Sequence, residues 1–488
     1  MEGRGQKDPL LSLKRYDVLI IGGGVTGVSI ARELSRYRLS IGLLEKEAEL
    51  AFGVSKSNSG IVHPGTHNPP DSLKGRLCVE GNWLMREVAR DLGVHFEEVG
   101  ELVVIFKEEE RKELLRIKKD AEILGVPGVR IVDRAWLDEH EPNLNSRAIA
   151  ALYAPTAGII SPYRLVYDLA ENAKKNWVEI HTSHQVTGIT RKDDFEVCTD
   201  QGVFRSRYVI NAAGLFADEI ANMAGITDIK IVPWKGEEFM LDKKKTGLTR
   251  QLLFPLPTPH SKGTLFIRTS DGNPMIGPTS YEARSKTDLS TTEAGLNEVL
   301  KNVRRLVPSV NKGDIIAYFA GLRPKAGNDF IIRHEGSVPG FVNVAGIQSP
   351  GLTAAPAIAL MVVDLLRKNG LELRKSPTFQ KHRQPTEHLF AIPFSRTKKL
   401  IKQDSAYADI VCRCEMVSAK EVRDAIKRGA RTMDGIKFRT RAQAGRCHGG
   451  FCTTRLMKIL SQELGVPVSE VTKRGKGSEM VKKERGGK

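Results

Sequence analysis

Runs of apolar residues predict buried strands at several places along the chain. YDVLII begins at Tyr16, SIGLLEKE follows at 40–47 and RYVINAAG occupies 207–214. Between the first two runs, GGGVTGVSIARELSRY joins a glycine turn to a segment with the periodicity of an amphipathic helix. Together these segments predict one βαβ unit. The same order of strand, glycine loop and helix returns at 340–366.

Alternating apolar and polar residues characterise two other stretches, about 91–150 and about 231–319, with runs such as ELVVIF and WKGEEFMLD. We expect both stretches to form strands of one mainly antiparallel sheet, with accompanying helices. This sheet would be inserted into the α/β domain. The predicted fold class is therefore α/β, a Rossmann-like domain at 16–370 with an inserted, mainly antiparallel sheet. A small helical domain follows it.

The remaining segments differ in composition from these two regions. Residues 1–15 predict a loose leader, and the polar stretch 371–410, with three prolines, predicts a linker that runs along a surface. A small unit occupies about 411–465. The last segment, 466–488, is rich in Lys, Arg and Gly and predicts a basic, disordered tail.

Composition places the chain among globular proteins, with 40% hydrophobic and 27% charged residues. The N-terminus lacks the apolar core and cleavage site of a secretory signal. No charge-free apolar run reaches the length of a membrane span, about 18 residues. Six cysteines in 488 residues suit a reducing compartment better than a disulfide scaffold. We expect a cytoplasmic protein without a transmembrane segment. Peripheral docking at the inner face of the membrane through a partner stays open.

The net charge of +17 is concentrated towards the C-terminus, where residues 401–488 carry 20 Lys and Arg against 10 Asp and Glu. Clustered basic residues can neutralise nucleic-acid phosphates. The final stretch, TKRGKGSEMVKKERGGK, has no aromatic residue to stack on bases. A solvated tail is the better explanation, and we expect no nucleic-acid partner.

A dinucleotide-binding motif lies inside the first βαβ unit. Gly22, Gly24 and Gly27 form G-x-G-x-x-G directly after a strand and before a helix. Glycine allows the tight turn, the close approach of a pyrophosphate and the packing of helix on strand. Glu45, 18 residues after Gly27, ends the second strand, where its carboxylate would accept hydrogen bonds from a ribose. NAD and FAD share this motif, so it does not decide between them.

Four of the six cysteines form two close pairs near the C-terminus. Cys412 and Cys414 make C-x-C, and Cys447 and Cys452 make C-x4-C. Two pairs of thiolates can bind zinc or a [2Fe-2S] cluster, and spacing alone leaves both open. A helix start follows each pair: SAKE at 418–421 predicts a capping box, and Thr453 or Thr454 is expected to cap the second helix. The other two, Cys78 and Cys198, are predicted to be packing residues.

Longer motifs carry a family resemblance. These are GVSKSNSGIVHPGTHNPPDSLKGRLCVEGN at 53–82, YVINAAGLFADEIA at 208–221, FAGLRP at 319–324 and GFVNVAGIQSPGLTAAPAI at 340–358. They resemble the FAD-dependent oxidoreductases of the D-amino acid oxidase superfamily. Within it they are most similar to the branch of glycerol-3-phosphate dehydrogenases and oxidases and L-2-hydroxyglutarate oxidases. The resemblance implies FAD, with the flavin ring between the Rossmann-like domain and the antiparallel sheet.

The same resemblance implies the site residues. His63 would be the base over the flavin, and Arg323 would bind the anion of a small phosphate or carboxylate substrate. Lys262 and Ser349 occupy positions similar to phosphate-contacting residues, and a second cation favours a phosphate dianion. The cofactor contacts implied beyond the glycine motif and Glu45 are Ser59, Gly60, Val186, Gly214, Gly346, Gly351 and Leu352.

The segment VCRCEMVSAKEVRDAI and, downstream, DGIKFRTRAQAGRCHGGFC resemble the [2Fe-2S] domain of bacterioferritin-associated ferredoxin. This resemblance favours an iron-sulfur cluster over zinc and implies an electron outlet to a partner protein or a quinone. The expected reaction is oxidation of sn-glycerol 3-phosphate to dihydroxyacetone phosphate. The alternatives are an L-2-hydroxyacid dehydrogenase, an amine or amino-acid oxidase, and a non-catalytic electron-transfer subunit. The oligomeric state is not predicted.

Overall fold

The computed structural model describes residues 14–257 and 263–482. The strands of the described residues, in chain order, are β1 (Lys14–Ile21), β2 (Ile41–Leu44), β3 (Ile61–Val62), β4 (Phe96–Glu98), β5 (Glu101–Ile105), β6 (Arg130–Asp133), β7 (Ala150–Ala154), β8 (Gly158–Ile160), β9 (Glu179–His181), β10 (Val186–Arg191), β11 (Phe195–Thr199), β12 (Gly202–Asn211), β13 (Val232–Leu241), β14 (Leu252–Pro255), β15 (Leu265–Arg268), β16 (Pro274–Gly277), β17 (Tyr281–Glu282), β18 (Ile315–Lys325), β19 (Ile331–His334), β20 (Phe341–Ala345), β21 (Ile410–Cys412) and β22 (Val417–Ser418).

The α-helices of the same residues are α1 (Val25–Leu34), α2 (Leu73–Leu92), α3 (Arg111–Ile123), α4 (Arg134–His140), α5 (Pro162–Lys175), α6 (Ala217–Met223), α7 (Glu293–Leu306), α8 (Gly351–Lys368), α9 (Phe394–Gln403), α10 (Ala419–Lys427), α11 (Met433–Thr440) and α12 (Thr453–Leu464). None of these helices combines the length and apolar composition that a membrane crossing requires.

The first sheet is the predicted Rossmann-like core. Strands β9, β2, β1, β12 and β20 pair in parallel in that order, and β19 and the β10–β11 hairpin add antiparallel strands. Every residue of β2 and β20 is buried, as expected for parallel strands covered on both faces. Helices α1, α5 and α8 supply much of the apolar core on one face.

The second sheet is the inserted one. Its strand order is β17-β13-β16-β15-β14-β5-β7-β6, with β18 paired to β13. All its pairs are antiparallel except β14 with β5, which confirms the mainly antiparallel prediction. The sheet extends past the predicted limits of 150 and 319, because β7 ends at Ala154 and β18 at Lys325.

Two predicted boundaries need correction at the ends of the described chain. Strand β1 begins at Lys14, inside the predicted leader 1–15, because Lys14 and Arg15 align with Phe204 and Arg205 of β12. The remainder of that leader, 1–13, lies outside the described residues. Within the predicted linker 371–410, residues 394–403 form α9, and Arg383 fastens the earlier part to Asp168 and Glu171 of α5.

The predicted disordered tail 466–488 is wrong for residues 466–482. Val471 is buried in the C-terminal core. The carbonyls of Thr472 and Lys473 accept hydrogen bonds from the N–H groups of Met433 and Asp434 in the first turn of α11. A helix leaves these first N–H groups without partners of its own, so the tail gains backbone hydrogen bonds there. Residues 483–488 lie outside the described part of the chain.

Candidate active site

The glycine turn after β1 has the geometry that the motif predicts. Gly22 has a φ of 115°, and a Cβ on it would lie 2.3 Å from the carbonyl oxygen of Ala212. A Cβ on Gly27 would lie 1.9 Å from the carbonyl oxygen of Gly22. Gly24 is the N-cap of α1 and provides no side-chain cap. The N–H of Val25 donates to Ser55 Oγ at 3.0 Å, so the next N–H groups of the first turn are the ones that can face a pyrophosphate.

Glu45 follows β2 and is held by the backbone. Its Oε2 accepts from the N–H of Gly23 at 2.7 Å, and its Oε1 accepts from the N–H of Glu47 at 2.9 Å. Burial raises the pKa of Glu45, while these two backbone donors act in the opposite direction. The carboxyl group therefore has a fixed orientation beside the glycine turn, as a ribose-binding acid requires.

A cavity of about 620 Å³ extends from the glycine turn to the face formed by β13 and β18. This volume is within the range of cofactor and ligand pockets. Most of the sequence-predicted residues line it: Gly22, Gly24, Glu45, Ser59, His63, Val186, Gly214, Arg323, Ser349, Gly351 and Leu352.

Four predicted residues are absent from the described lining of the cavity. Gly27 acts through the helix packing described above. Gly60 and Gly346 have positive φ, and a Cβ would lie 2.3 Å from the oxygen of Ile160 and 2.7 Å from Cβ of Ala326, respectively. These two glycines shape the backbone beneath the cavity. Lys262 lies outside the described residues.

His63 follows β3 and is held by two helices. Its backbone N–H donates to Thr353 Oγ1 of α8 at 2.9 Å, and its carbonyl accepts from Asn82 Nδ2 of α2 at 3.0 Å. Its Nε2 lies 3.3 Å from Ser349 Oγ. The structure thus brings together two residues, His63 and Ser349, that are 286 positions apart in the chain.

Arg323 lies at the cavity side of β18, and its guanidinium donates only to neutral oxygens. Nη2 is 3.4 Å from the carbonyl of Lys235 and 3.3 Å from that of Thr279, both long contacts. Burial lowers the pKa of Arg323, and the charge of Glu238 partly offsets that effect. No described carboxylate is within ion-pair distance of this guanidinium, which leaves it able to receive an anion.

The sequence analysis missed two groups that face the same cavity. Glu238 on β13 is buried beside Arg323, and burial raises its pKa to about 8. His67 stacks on Phe254 at 4.6 Å, with its Nε2 3.2 Å from Glu101 Oε1. In WKGEEFMLD, Glu238 lies two residues after Gly236 and so shares a face of the strand with it. This spacing was the only sign in the sequence that Glu238 faces the cavity.

The four cysteines of the C-terminal unit come together, with the Sγ atoms of Cys414 and Cys447 3.6 Å apart. A hydrogen bond from the thiol of Cys452 lowers the pKa of Cys412 to about 6. The backbone N–H groups of Phe451 and Gly449 lower the pKa of Cys447. The hydrogen bonds shared with Cys447 and Cys412 raise the pKa of Cys414 and Cys452, respectively. Four convergent sulfurs, two of them with donors that favour the thiolate, fit an iron-sulfur cluster.

The helix starts beside these cysteines agree with the sequence in one case only. Ser418 and Glu421 form the predicted capping box of α10. The prediction that Thr453 or Thr454 caps α12 is wrong, because Cys452 is the N-cap and Thr453 is already helical. The hydroxyl of Thr453 instead accepts from Gln443 Nε2 at 2.7 Å and donates to the Gly449 carbonyl at 2.7 Å. It ties the second cysteine loop to Gln443.

Comparison with known proteins identifies the class. The family model described as DAO, FAD dependent oxidoreductase, matches residues 17–365, and the model of the BFD-like [2Fe-2S] binding domain matches residues 410–462. The chain belongs to the family of FAD-dependent oxidoreductases and carries an appended [2Fe-2S] domain. Its cofactors are FAD and a [2Fe-2S] cluster.

The chain is similar to particular members of this class. A glycerol 3-phosphate dehydrogenase of Caloramator mitchellensis is 40% identical over 95% of this chain and 97% of its own length. The solved structure of dithionite-reduced L-alpha-glycerophosphate oxidase from Mycoplasma pneumoniae with FAD bound superposes with a TM-score of 0.73. It has 31% identity and covers 77% of this chain and 100% of that one. The mitochondrial L-2-hydroxyglutarate dehydrogenase of Caenorhabditis elegans is 29% identical over 72% of this chain and 93% of its own.

Proposed function

We propose that this protein oxidises sn-glycerol 3-phosphate to dihydroxyacetone phosphate and passes the electrons through the [2Fe-2S] cluster to a separate acceptor. The observation that carries the proposal is the guanidinium of Arg323. It lies in the cavity that His63 also lines, held by carbonyl oxygens and within ion-pair distance of no described carboxylate. Similarity to the dehydrogenase of Caloramator mitchellensis over nearly the whole chain supports the same substrate.

Arg323 binds the phosphate group. A guanidinium forms paired hydrogen bonds with oxyanions, and one without a carboxylate partner gains most from receiving an anion. The long contacts of Arg323 to the carbonyls of Lys235 and Thr279 hold its orientation without neutralising its charge. Lys262 supplies the second positive charge that a dianion favours over a single carboxylate.

His63 takes the proton from the hydroxyl on carbon 2. Nε2 is the ring nitrogen for this step, because it lies 3.3 Å from Ser349 Oγ, which also lines the cavity. FAD bound in this cavity would accept the hydride that leaves the same carbon. As the C–H and O–H bonds break, a carbonyl forms, and the proton remains on His63. Ser349 orients the substrate hydroxyl and the imidazole together.

The cysteine loops form the electron outlet. The cluster transfers electrons singly, whereas hydride carries a pair. Cys414 is exposed, and the side chain of Phe451, next to Cys452, is 87% exposed. An acceptor protein or a quinone that contacts the surface formed by Cys414 and Phe451 would come close to the bound iron.

The test is an anaerobic titration of the purified holoenzyme, in which visible absorbance reports flavin and cluster together. sn-Glycerol 3-phosphate is expected to bleach the flavin bands and then the cluster bands. Matched titrations use L-2-hydroxyglutarate, L-amino acids and glycerol. Bleaching by L-2-hydroxyglutarate alone would assign the protein to the second class of relatives. Bleaching by none of these compounds would contradict the proposal and favour an electron-transfer subunit.

A further inference from the structure

The cavity face of β13 is defined by strand alternation. Trp234, Gly236 and Glu238 line the cavity. Glu237 points the other way, where it accepts hydrogen bonds from the N–H and hydroxyl of Thr292 at the start of α7. Since successive side chains of a strand point to opposite faces, Glu238 is directed into the cavity by the register of the whole strand.

Arg323 reaches the same patch from the neighbouring strand. Trp234 and Gly236 of β13 lie opposite Arg323 and Gly321 of β18, and residues opposite each other in an antiparallel pair share a face. A Cβ on Gly236 would lie 3.5 Å from Nη2 of Arg323, so the guanidinium lies above this glycine. Glu238 is the next cavity-facing residue along the strand.

Glu238 and Arg323 are close without forming an ion pair. The side chain of Glu238 is buried, with 8% exposure, and its Oε2 accepts no hydrogen bond from any described residue. Arg323 is the charged group that acts on it. A buried carboxyl and a half-buried guanidinium that line the same cavity without an ion pair are both available to a third group there.

The charge of that third group decides the state of Glu238. A phosphate bound to Arg323 would face a carboxylate across a dry cavity, and two such negative charges repel strongly. A neutral carboxylic acid would instead donate a hydrogen bond to a phosphate oxygen. In the empty site, the charge of the guanidinium favours the carboxylate and burial favours the neutral acid.

We propose that Glu238 binds the anionic group of the substrate together with Arg323 as a protonated carboxylic acid. Where Glu238 is ionised in the empty site, it takes up one proton from solution when the anion enters. This inference deepens the proposed function and rests on its assignment of Arg323 to the anion. The proton leaves again when the anion leaves, so no net chemistry occurs at Glu238. Glu238 is a binding and specificity residue.

The electrostatics of the empty cavity agree with this role. Burial raises the pKa of Glu238 to about 8, and only the charge of Arg323 lowers it. An anion stabilises the protonated form further. Anion affinity is therefore fully present below about pH 8 and is lost as the pH rises above that value. Besides Arg323, the other titratable groups that line the described cavity are Glu45, Lys46, Glu47, His63, His67, Lys74, His184, Glu219 and Lys325.

Sulfate binding to the oxidised holoenzyme tests this inference without turnover, because sulfate keeps its double negative charge across the pH range. Binding is measured by perturbation of the visible flavin spectrum between about pH 6.5 and pH 9.5. We expect the dissociation constant of the parent protein to rise about tenfold per pH unit above the pKa of Glu238. In Glu238→Gln, whose amide donates without titrating, we expect a flat profile over the same range.

Calorimetry of sulfate binding in two buffers of different ionisation enthalpy gives a second measurement. Above about pH 8 the parent protein is expected to take up close to one proton per sulfate, and Glu238→Gln is expected to take up none. Glu282→Gln, an exposed carboxyl on β17, is the matched control and keeps the parent profile. The calorimetric measurement on the parent protein alone remains decisive if Glu238→Gln does not fold.

The outcomes separate this inference from the proposed function. A parent profile that is flat with pH, or a Glu238→Gln profile that keeps the parent slope, overturns the role of Glu238. If the sulfate results are as expected but sn-glycerol 3-phosphate does not bleach the flavin, Glu238 keeps its role and the substrate assignment fails.

Discussion

His63 shows how single residues of this site are positioned by distant parts of the chain. Its backbone is held by Asn82 of α2 and Thr353 of α8, and its ring by Ser349. A base must approach the substrate proton closely, so this fixed backbone sets where a substrate hydroxyl binds. The ring faces the cavity between Phe254 and the loop before α8.

Replacement of His63 tests its role as the base. His63→Ala is expected to slow the anaerobic bleaching of the flavin by substrate about 100-fold or more, because the hydroxyl proton loses its acceptor. Stopped-flow absorbance measures this rate. His95→Ala, at an exposed histidine beside β4, is the control and keeps the parent rate. An unchanged rate in His63→Ala would remove His63 from the mechanism.

Replacement of Arg323 tests anion binding. Arg323→Ala is expected to raise the substrate concentration for half-maximal bleaching by about 100-fold or more, since a charge-assisted bond to a dianion is lost. Arg284→Ala, at an exposed arginine of the same domain, serves as the control. If the maximal rate falls while the half-maximal concentration stays the same, Arg323 does not bind the anion.

At the scale of secondary-structure elements, the C-terminal unit consists of two cysteine loops held at helix starts. The β21–β22 hairpin presents Cys412 and Cys414, and α10 begins at once after it with a capping box. The second loop ends where Cys452 caps α12. Backbone N–H groups at such starts favour the negative charge of thiolates and of the cluster that we expect them to hold.

Loss of one cysteine tests whether this unit is an electron outlet. Cys447→Ser is expected to lose the cluster absorbance and most of the bound iron, because serine is a poor ligand for it. Bleaching of the flavin by substrate should remain within about twofold of the parent rate, since His63 and Arg323 are unaffected. Cys198→Ser on β11 is the matched control. Equal damage to flavin bleaching and to acceptor reduction would indicate a structural metal instead.

The whole molecule is a flavin domain with the C-terminal unit docked against it through buried charges. Glu49, which follows β2 and Glu45, pairs with Arg439 of α11 at 2.7 Å and accepts from the backbone N–H of Arg431 at 2.7 Å. On the other side, Arg441 bridges Glu415 and Asp271. Both contacts join the cofactor loop or the inserted sheet to the cysteine unit.

Removal of Glu49 tests this docking. Glu49→Ala leaves the guanidinium of Arg439 buried without its partner, which costs about 3 to 5 kcal/mol in comparable sites. We expect faster proteolysis of the 371–410 segment and slower electron transfer from substrate to cluster, with flavin bleaching retained. Arg455→Ala, which breaks an exposed pair within the C-terminal unit, is the control.

A second variant tests the contact of Glu49 with α11 by a change in α11 itself. A Cβ on Gly435 would lie 2.0 Å from Glu49 Oε1, so Gly435→Ala is expected to displace this carboxylate and weaken its pair with Arg439. Proteolysis of the 371–410 segment should be faster than in the parent protein, as in Glu49→Ala. Unchanged proteolysis and unchanged electron transfer in both variants would show that the two domains communicate without this contact.

The sequence alone determined the elements whose signals are local. A strand, a glycine turn and a helix lie within 30 residues, and four cysteines lie within two short loops, so spacing predicts them directly. The α/β fold with an inserted antiparallel sheet was predicted from such patterns, whereas FAD and the [2Fe-2S] cluster were predicted from the family resemblance of longer motifs. All three are confirmed by the comparisons. The roles of His63, Arg323, Lys262 and Ser349 stay predictions.

Only the tertiary structure decided the features that depend on contacts between distant segments. The order of the tail at 466–482 depends on unpaired N–H groups of α11, and the burial of Glu238 depends on the register of β13 against β18. Cys452, and not Thr453, is the N-cap of α12, and the hydroxyl of Thr453 instead binds Gln443. Whether a residue is buried, and which group it hydrogen-bonds, depends on the residues next to it in space. The local sequence does not contain that information.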